Sequence, residues 1–303
     1  MNRSVTPGTF EVTPRKEVNQ LDKIYKAGRE LTEEFAKTEL PYGSVAIWNI
    51  GQVGTVIKGK KEGGFIVIDP YLTHSIEENH PGTEFVREYE PPIDPEGLKG
   101  AAGILVTHFH DDHLDLSTIR GIQKVSPETT LAVPASHLYL VEDIVEREKL
   151  VACKDGESFH IHSFKITPIA SSHTIYEKDE EGNHFYLGFF IECNGVKLYH
   201  SGDTVVTDEL VERVRAFQPD IAFLPINGAD YFRTARGIVG NMNFREAADF
   251  GVAIGADLII PNHYDLFPNN RDNPAYFVDY LFQHYRKQKF HMLAVGERFI
   301  YMK

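Results

Sequence analysis

Cysteine is scarce. Cys153 and Cys193 are the two in 303 residues, each alone in an apolar or strand-like stretch rather than in a C-x-x-C pair. That excludes a disulfide scaffold or a thiolate zinc ribbon and leaves reduced structural thiols as the expectation. Positive charge is short too: 31 Lys and Arg stand against 44 Asp and Glu, a net charge of −13, with no basic block to offset it. A free nucleic-acid strand and an anionic membrane are thereby excluded as general partners, whereas a small anionic substrate is not, provided a few arginines converge. No apolar run nears the roughly 18 residues of a membrane span, and the opening "MNRSVTPGTFEVTPRKE" lacks the apolar core of a signal peptide. A cytoplasmic protein is the expectation.

What is present is a long alternation of strand and helix signals. Residues 16–38 carry Leu, Ile, Tyr and Phe at helical spacing and stop before Pro41, which predicts an amphipathic helix within an N-terminal extension, 1–42. Its apolar stripe must be buried against its own domain or a neighbour's. The runs "GSVAIWNI", "GTVIKG" and "GFIVIDP" predict an antiparallel meander. After them come "AAGILVTH", a helix near 115–126, "TTLAVP", a helix near 136–147, and strands near 149–153, 157–161 and 163–170. The second half repeats that layout: "FYLGFFIECNG" and "VKLYHSGD" as a hairpin, a helix at 207–217, "DIAFLPI", a helix at 243–255, "DLIIPNH", a helix at 274–287 and a closing hairpin at 290–302. Runs so continuously apolar are buried on both faces. Residues 43–303 therefore predict one α/β (α+β) domain, a four-layer αββα sandwich of two mixed β-sheets flanked by helices.

One stretch carries the chemistry. "THFHDDHLD", 107–115, places three histidines within six residues at the mouth of the strand "AAGILV". In extended chain His108 and His110 point to the same side and suit one ion; where the chain turns into a helix, Asp112 and His113 swing to an adjacent position that suits a second. Helix capping by Asp111 or Asp112 would leave the histidines unexplained. Further ligands follow other apolar runs: His173 in "PIASSHT", Asp203 in "LYHSGDT" and His263 in "LIIPNHYD". All could converge at one edge of the sheets, where sites of α/β proteins collect.

In this order the motifs resemble the metallo-β-lactamase-fold superfamily: Asp69 in "IVIDP", then His108, His110, Asp112 and His113, then His173, Asp203 and His263. The resemblance implies that His108, His110 and His173 hold one metal, that Asp112, His113 and His263 hold the other, that Asp203 bridges, and that Asp69 orients the ligands. "GSVAIWNIGQVG", "THFHDDHLD", "VKLYHSGDT" and "ARGIVGNMNFREAADFGVAIGADLIIPNHYDLF" are similar to the L-ascorbate-6-phosphate lactonase family. That likeness implies a homo-oligomeric lactonase and favours manganese, whereas the wider superfamily favours zinc; imidazole and carboxylate donors admit one or two ions of Mn²⁺, Zn²⁺ or Fe²⁺.

The reaction expected is opening of a sugar-phosphate lactone by hydroxide formed near neutral pH, with Asp112 accepting the proton and passing it to the leaving alkoxide. Arg233 and Arg236, in "NGADYFRTARGIVGN", are the candidates for the substrate phosphate, one alternative being an ion pair with Asp230 or Glu246. His200, Tyr231 and Asn241 are candidate pocket residues. The competing readings are a metal-dependent phosphodiesterase of the same fold and a non-catalytic binder, the latter expected to have lost a ligand that this chain keeps.

Overall fold

A computed structural model describes residues 23–60 and 63–303. Among them two seven-stranded sheets stack face to face. The first contains β1 (Ser44–Asn49), β2 (Thr55–Lys58), β3 (Phe65–Ile68), β4 (Ala101–Leu105), β5 (Thr130–Pro134), β6 (Leu150–Cys153) and β14 (Arg298–Met302), in the order β14-β1-β2-β3-β4-β5-β6. The second contains β7 (Phe159–Ile161), β8 (Phe164–Ala170), β9 (Leu187–Cys193), β10 (Val196–His200), β11 (Ile221–Pro225), β12 (Leu258–Asn262) and β13 (Lys289–Phe290), in the order β13-β12-β11-β10-β9-β8-β7. β1 to β3 form the antiparallel meander the turns predict, and β3 to β6 run parallel. The second sheet likewise joins antiparallel β7–β10 to parallel β10–β13.

The continuous apolar runs arise because every central strand is covered twice. In β1, Val45 and Ile47 enter the core between the sheets, while Ala46 and Trp48 face the outer layer. In β11, Ile221 and Phe223 point inward and Ala222 and Leu224 outward. α1 (Gly28–Lys37) and α3 (Leu116–Val125) cover the first sheet, and the short α2 (Ser75–Asn79) lies between them in sequence; α4 (Asp208–Phe217), α6 (Phe244–Ala253) and α7 (Pro274–His284) cover the second. The four-layer αββα expectation holds.

Three local expectations change, and one left open is settled. The helix expected over 16–38 begins at Gly28, whose φ of +58° breaks the helical path; residues 16–22 lie outside the described residues, and Ile24 instead bridges Val295. Leu31 and Phe35 of α1 bury its stripe on Trp48 and Phe65, so the helix is covered by its own domain and its stripe gives no reason for an oligomer. The helix expected near 136–147 is two short 3₁₀ segments, Ala135–Leu140 and Arg147–Lys149. The closing hairpin does not form: β13 pairs with β12 in the second sheet and β14 crosses to pair with β1 in the first, because Leu293 between them is anchored in the intersheet core.

α5 (Tyr231–Thr234) is a short turn of helix capped by Asp230 in a stretch expected to be loop. None of the helices among the described residues is long and apolar enough to cross a membrane.

Candidate metal centre

Each expected ligand leaves the C-terminal end of a strand. His108 and His110 follow β4, His173 follows β8, Asp203 follows β10 and His263 follows β12. The carbonyl of Thr107 accepts the amide N–H of Leu187 at 2.9 Å, which ties the exit of β4 to the second sheet and brings both sheets' ligands to one edge. His108, His110, His173 and Asp203 form one group of donors, and Asp112, His113 and His263 a second; within each group the donor atoms lie within 4.8 Å of one another. Asp203 stands between them. Its Oδ2 is 3.7 Å from His173 Nε2 and 3.4 Å from His263 Nε2, and its Oδ1 is 3.5 Å from His113 Nε2. Asp112 Oδ2 is 3.7 Å from Nε2 of both His113 and His263.

Asp69 lies behind this group, fully buried. It accepts hydrogen bonds from the Thr107 amide at 2.8 Å and the Thr107 hydroxyl at 2.6 Å, and its Oδ2 is 2.8 Å from His113 Nδ1. A proton on that Nδ1 leaves the Nε2 lone pair of neutral His113 free to ligate an ion. Three of the non-glycine residues with left-handed backbone sit here: Gln52 (φ +54°), Asp69 (φ +44°) and His263 (φ +56°). Such geometry costs on the order of 1–3 kcal/mol each and persists where the surroundings over-determine it.

The electrostatics suit a cation. Burial pushes His173 down to about 4 and His108 well below its ordinary value, which keeps both imidazoles neutral and able to donate lone pairs. Burial alone would also depress His113, but Asp203, Asp112 and Asp69 together raise it to about 10. Burial opposes ionisation of Asp112 and Asp203, yet His113 and His263 hold both carboxylates below their ordinary range. His113 Nε2 and Asp203 Oδ1 are buried without a hydrogen-bond partner among the described residues. Neutral imidazoles at His108 and His173, and carboxylates that draw positive charge onto His113, fit a divalent ion, which would take the place of the His113 Nε2 proton. The donors contain no thiolate; Cys153 and Cys193 lie in the intersheet core, where burial pushes both thiols up, Cys193 to about 12.

Both donor groups reach an open cavity of about 700 Å³, lined on the polar side by His110, Asp112, His173, Asp203 and His263. The residues expected to bind substrate do not line it. Arg233 Nε donates to Asp230 and its Nη1 to the Asn227 carbonyl at 2.8 Å, while Arg236 Nη2 lies 3.6 Å from the Glu84 carboxylate. His200 is fully buried and stacked on Phe223. Asn241 is buried and donates to Asn227 at 3.2 Å, and Tyr231 is exposed to solvent. Each arginine has a carboxylate beside it, Asp230 for Arg233 and Glu84 for Arg236.

Two neighbours of the donors escape sequence reasoning. Tyr186 packs its ring 5.1 Å from that of His173 and 5.2 Å from that of His108, and burial pushes its phenol up to about 12, so it stays protonated. Gln52 donates from Nε2 to Asp112 Oδ2 at 2.8 Å, and its amide N–H donates to the Tyr89 hydroxyl at 3.2 Å. Its only sequence signal is a large polar residue in the turn "IGQVG". Gln52→Ala is expected to lower kcat roughly tenfold, the worth of one hydrogen bond to a charged group at about 1.5 kcal/mol. Gln52→Glu is expected to cost more, because it sets a second carboxylate against Asp112. An alanine variant with unchanged kcat would remove Gln52 from the site.

The segment carrying His173 is braced from outside. Arg213 of α4 grips Asp155 with two hydrogen bonds, 2.6 and 3.1 Å, and Asp155 also accepts the Ala170 amide at 2.8 Å, at the end of β8. Burial would raise Asp155, but Arg213 and that amide bring its pKa below the ordinary value. A depressed carboxylate contributes stability that is present above its unfolded pKa of about 3.9 and is lost as pH falls through the folded value. Arg213→Ala should therefore reduce unfolding free energy by about 1–2 kcal/mol at pH 7, with a smaller difference below about pH 4. Urea unfolding of both proteins at pH 7 and pH 3.5 measures it; equal differences at the two pH values would contradict the assignment.

Residues 65–264, which include every expected metal ligand, match the family described as "Beta-lactamase superfamily domain". The chain belongs to that superfamily. A UPF0173 metal-dependent hydrolase of Methanoculleus marisnigri is 32% identical over 188 residues, 60% of this chain and 75% of that one. The probable L-ascorbate-6-phosphate lactonase UlaG of Escherichia coli O127:H6 is 22% identical over 284 residues, 82% of this chain and 77% of that one. Among solved structures, an isothiocyanate hydrolase from Delia radicum gut bacteria superposes with a TM-score of 0.67 at 18% identity, covering 85% of this chain and 99% of that one. Igni18, a metallo hydrolase from Ignicoccus hospitalis, gives 0.62 at 18% identity, covering 86% and 99%. These two likenesses concern the fold. This beta-lactamase superfamily member is thus a metal-dependent hydrolase with a His/Asp cluster fit for a divalent ion.

Proposed function

We propose that this beta-lactamase superfamily member hydrolyses the carbonyl of a lactone or ester. The observation that carries the reading is the meeting of two donor groups at Asp203 on the polar side of the cavity. His108, His110 and His173 would hold one ion, Asp112, His113 and His263 the other, with Asp203 shared. A divalent ion lowers the pKa of a bound water from 15.7 to about 7 and offsets negative charge developing on a carbonyl oxygen.

The chain's own residues do the rest. Asp112, ionised and facing the cavity, accepts a proton from the attacking water. The water oxygen forms a bond to the carbonyl carbon, the acyl–oxygen bond breaks, and Asp112 returns the proton to the leaving alkoxide, giving a hydroxy acid or an acid and an alcohol. Asp69 holds the His113 ring in place through Nδ1, and Gln52 holds the Asp112 carboxylate.

The finer identity, an L-ascorbate 6-phosphate type of lactonase using manganese, draws support from the lactonase-like motifs and from the Escherichia coli relative. Its phosphate would require a cation, and Arg233 and Arg236 are engaged outside the lining. The carbonyl chemistry is therefore the part of the reading with most support, and homo-oligomerisation in the cytoplasm belongs to the same proposal.

The test is acid release by Mn²⁺- or Zn²⁺-supplemented protein given a neutral γ-lactone, L-ascorbate 6-phosphate and bis(p-nitrophenyl) phosphate. Lactone opening with a silent phosphodiester is the expected result. Fast phosphodiester cleavage with silent lactones would overturn it in favour of the phosphodiesterase reading.

A further inference from the structure

Beside the donors, the cavity lining has an apolar part: Ile76, Phe85 and Phe267 from two segments, and Ile238 and Val239 from a third. Phe85 meets Phe267 edge to face with ring centroids 5.5 Å apart, and Phe267 also packs on Tyr71 at 6.2 Å, so this pair is a fixed aromatic surface. Val239, in the lining, is 37% exposed and so lies at its outer edge.

No Lys or Arg is among the described lining residues. The polar groups of the lining are the donors His110, Asp112, His173, Asp203 and His263, together with Asn270, Thr83, and His80, which lies 3.2 Å from the Asp111 carboxylate. Of the arginines next to the lining in sequence, Arg233 pairs with Asp230, and Arg236 lies 3.6 Å from the Glu84 carboxylate and outside the lining. A phosphate placed against the apolar part would lose its hydration with no Lys or Arg to replace it, whereas an aliphatic chain would gain by leaving water.

We propose that the part of the substrate away from the reacting carbonyl is neutral and apolar, an alkyl or aryl arm laid on the Phe85–Phe267 and Ile238–Val239 walls rather than a phosphorylated sugar. The assignment rests on the carbonyl-hydrolase reading for the identity of the reacting group, and on the cavity lining alone for the arm.

A series of γ-lactones of increasing side-chain length, from γ-butyrolactone to γ-nonalactone, tests it with the metal-supplemented full chain. kcat/KM is expected to rise roughly three- to fourfold per methylene, the usual worth of burying a CH₂ group. Val239→Asp, at a half-exposed position where folding is not at stake, should reduce that increment to near onefold, as should Phe85→Ala. A flat chain-length series, or a phosphorylated lactone turned over faster than γ-nonalactone, would overturn the proposal. If no lactone is opened, the reaction assignment fails, and calorimetric titration with 5-alkyl-2-pyrrolidinones, lactams that resist hydrolysis, decides the arm separately. Affinity rising with alkyl length, and lost in Val239→Asp, would sustain the apolar site; affinity independent of length would remove it.

Discussion

Asp112→Asn is expected to lower kcat by roughly 10²- to 10⁴-fold, the range of a positioned general base, while the His108–His110–His173–Asp203 group keeps its ion. Asp112 is the one carboxylate of the two donor groups held by an outside amide: Gln52 donates to it at 2.8 Å, and it faces the cavity with its side chain 15% exposed. His113 and His263 keep it ionised against the effect of burial. Asparagine preserves shape but removes both the charge and the basic oxygen, so proton transfer fails although the fold stands. Metal content by plasma mass spectrometry and steady-state kinetics on the same preparation separate the two effects. A variant whose kcat stays within a few-fold of the parent would show that another group takes the proton.

Gly202→Ala is expected to destabilise the fold by about 2–5 kcal/mol and to displace Asp203. Gly202 precedes Asp203 in the turn after β10 and has φ +58°. A Cβ there would lie 2.7 Å from the Leu187 carbonyl oxygen and 2.8 Å from Thr107 Cβ. Both neighbours are fixed, since the Leu187 amide donates to the Thr107 carbonyl and the Thr107 hydroxyl donates to Asp69. Neither can yield without moving the junction between the sheets or the support of His113. The left-handed conformation adds its own cost of roughly 1–2 kcal/mol for alanine. Urea denaturation should show a lower midpoint with an unchanged slope, and equilibrium dialysis should show weaker Zn²⁺ uptake. Parent-like values in both would mean that the backbone here relaxes freely.

The layers of the fold were legible because both faces of each central strand are covered, which forces runs such as "VAIWNI" and "IAFLPI" to be apolar throughout. The terminal hairpin was misread because β13 and β14 are adjacent in sequence but hydrogen-bond to strands of different sheets. Nothing local distinguishes that crossing from a turn. The start of α1 was misread for a different reason: helical spacing continues through Ile24 and Tyr25, but a left-handed Gly28 and the bridge from Ile24 to Val295 direct that segment elsewhere.

The candidate donors were legible because metal chemistry needs particular side chains at short spacing, and "HFHDDH" supplies them in six residues. His173, Asp203 and His263 were readable as strand-end residues, since parallel strands carry their C-terminal ends to one edge. The surroundings of the donors were not. Gln52 and Tyr186 meet the site from distant turns and strands, and no spacing rule reports a contact between residues 60 positions apart.

The sequence by itself determined the layered α/β architecture and picked out the candidate imidazole and carboxylate donors, because burial and metal ligation both act on residue type and local period. Only the tertiary structure decided which side chains face the cavity. Arg233 and Arg236 read as phosphate ligands from their loop, whereas the fold sets Asp230 and Glu84 beside them, and an apolar lining built from segments about 190 residues apart, Ile76 to Phe267, had no local signature. Whether a charge is available to a ligand depends on what the fold sets next to it.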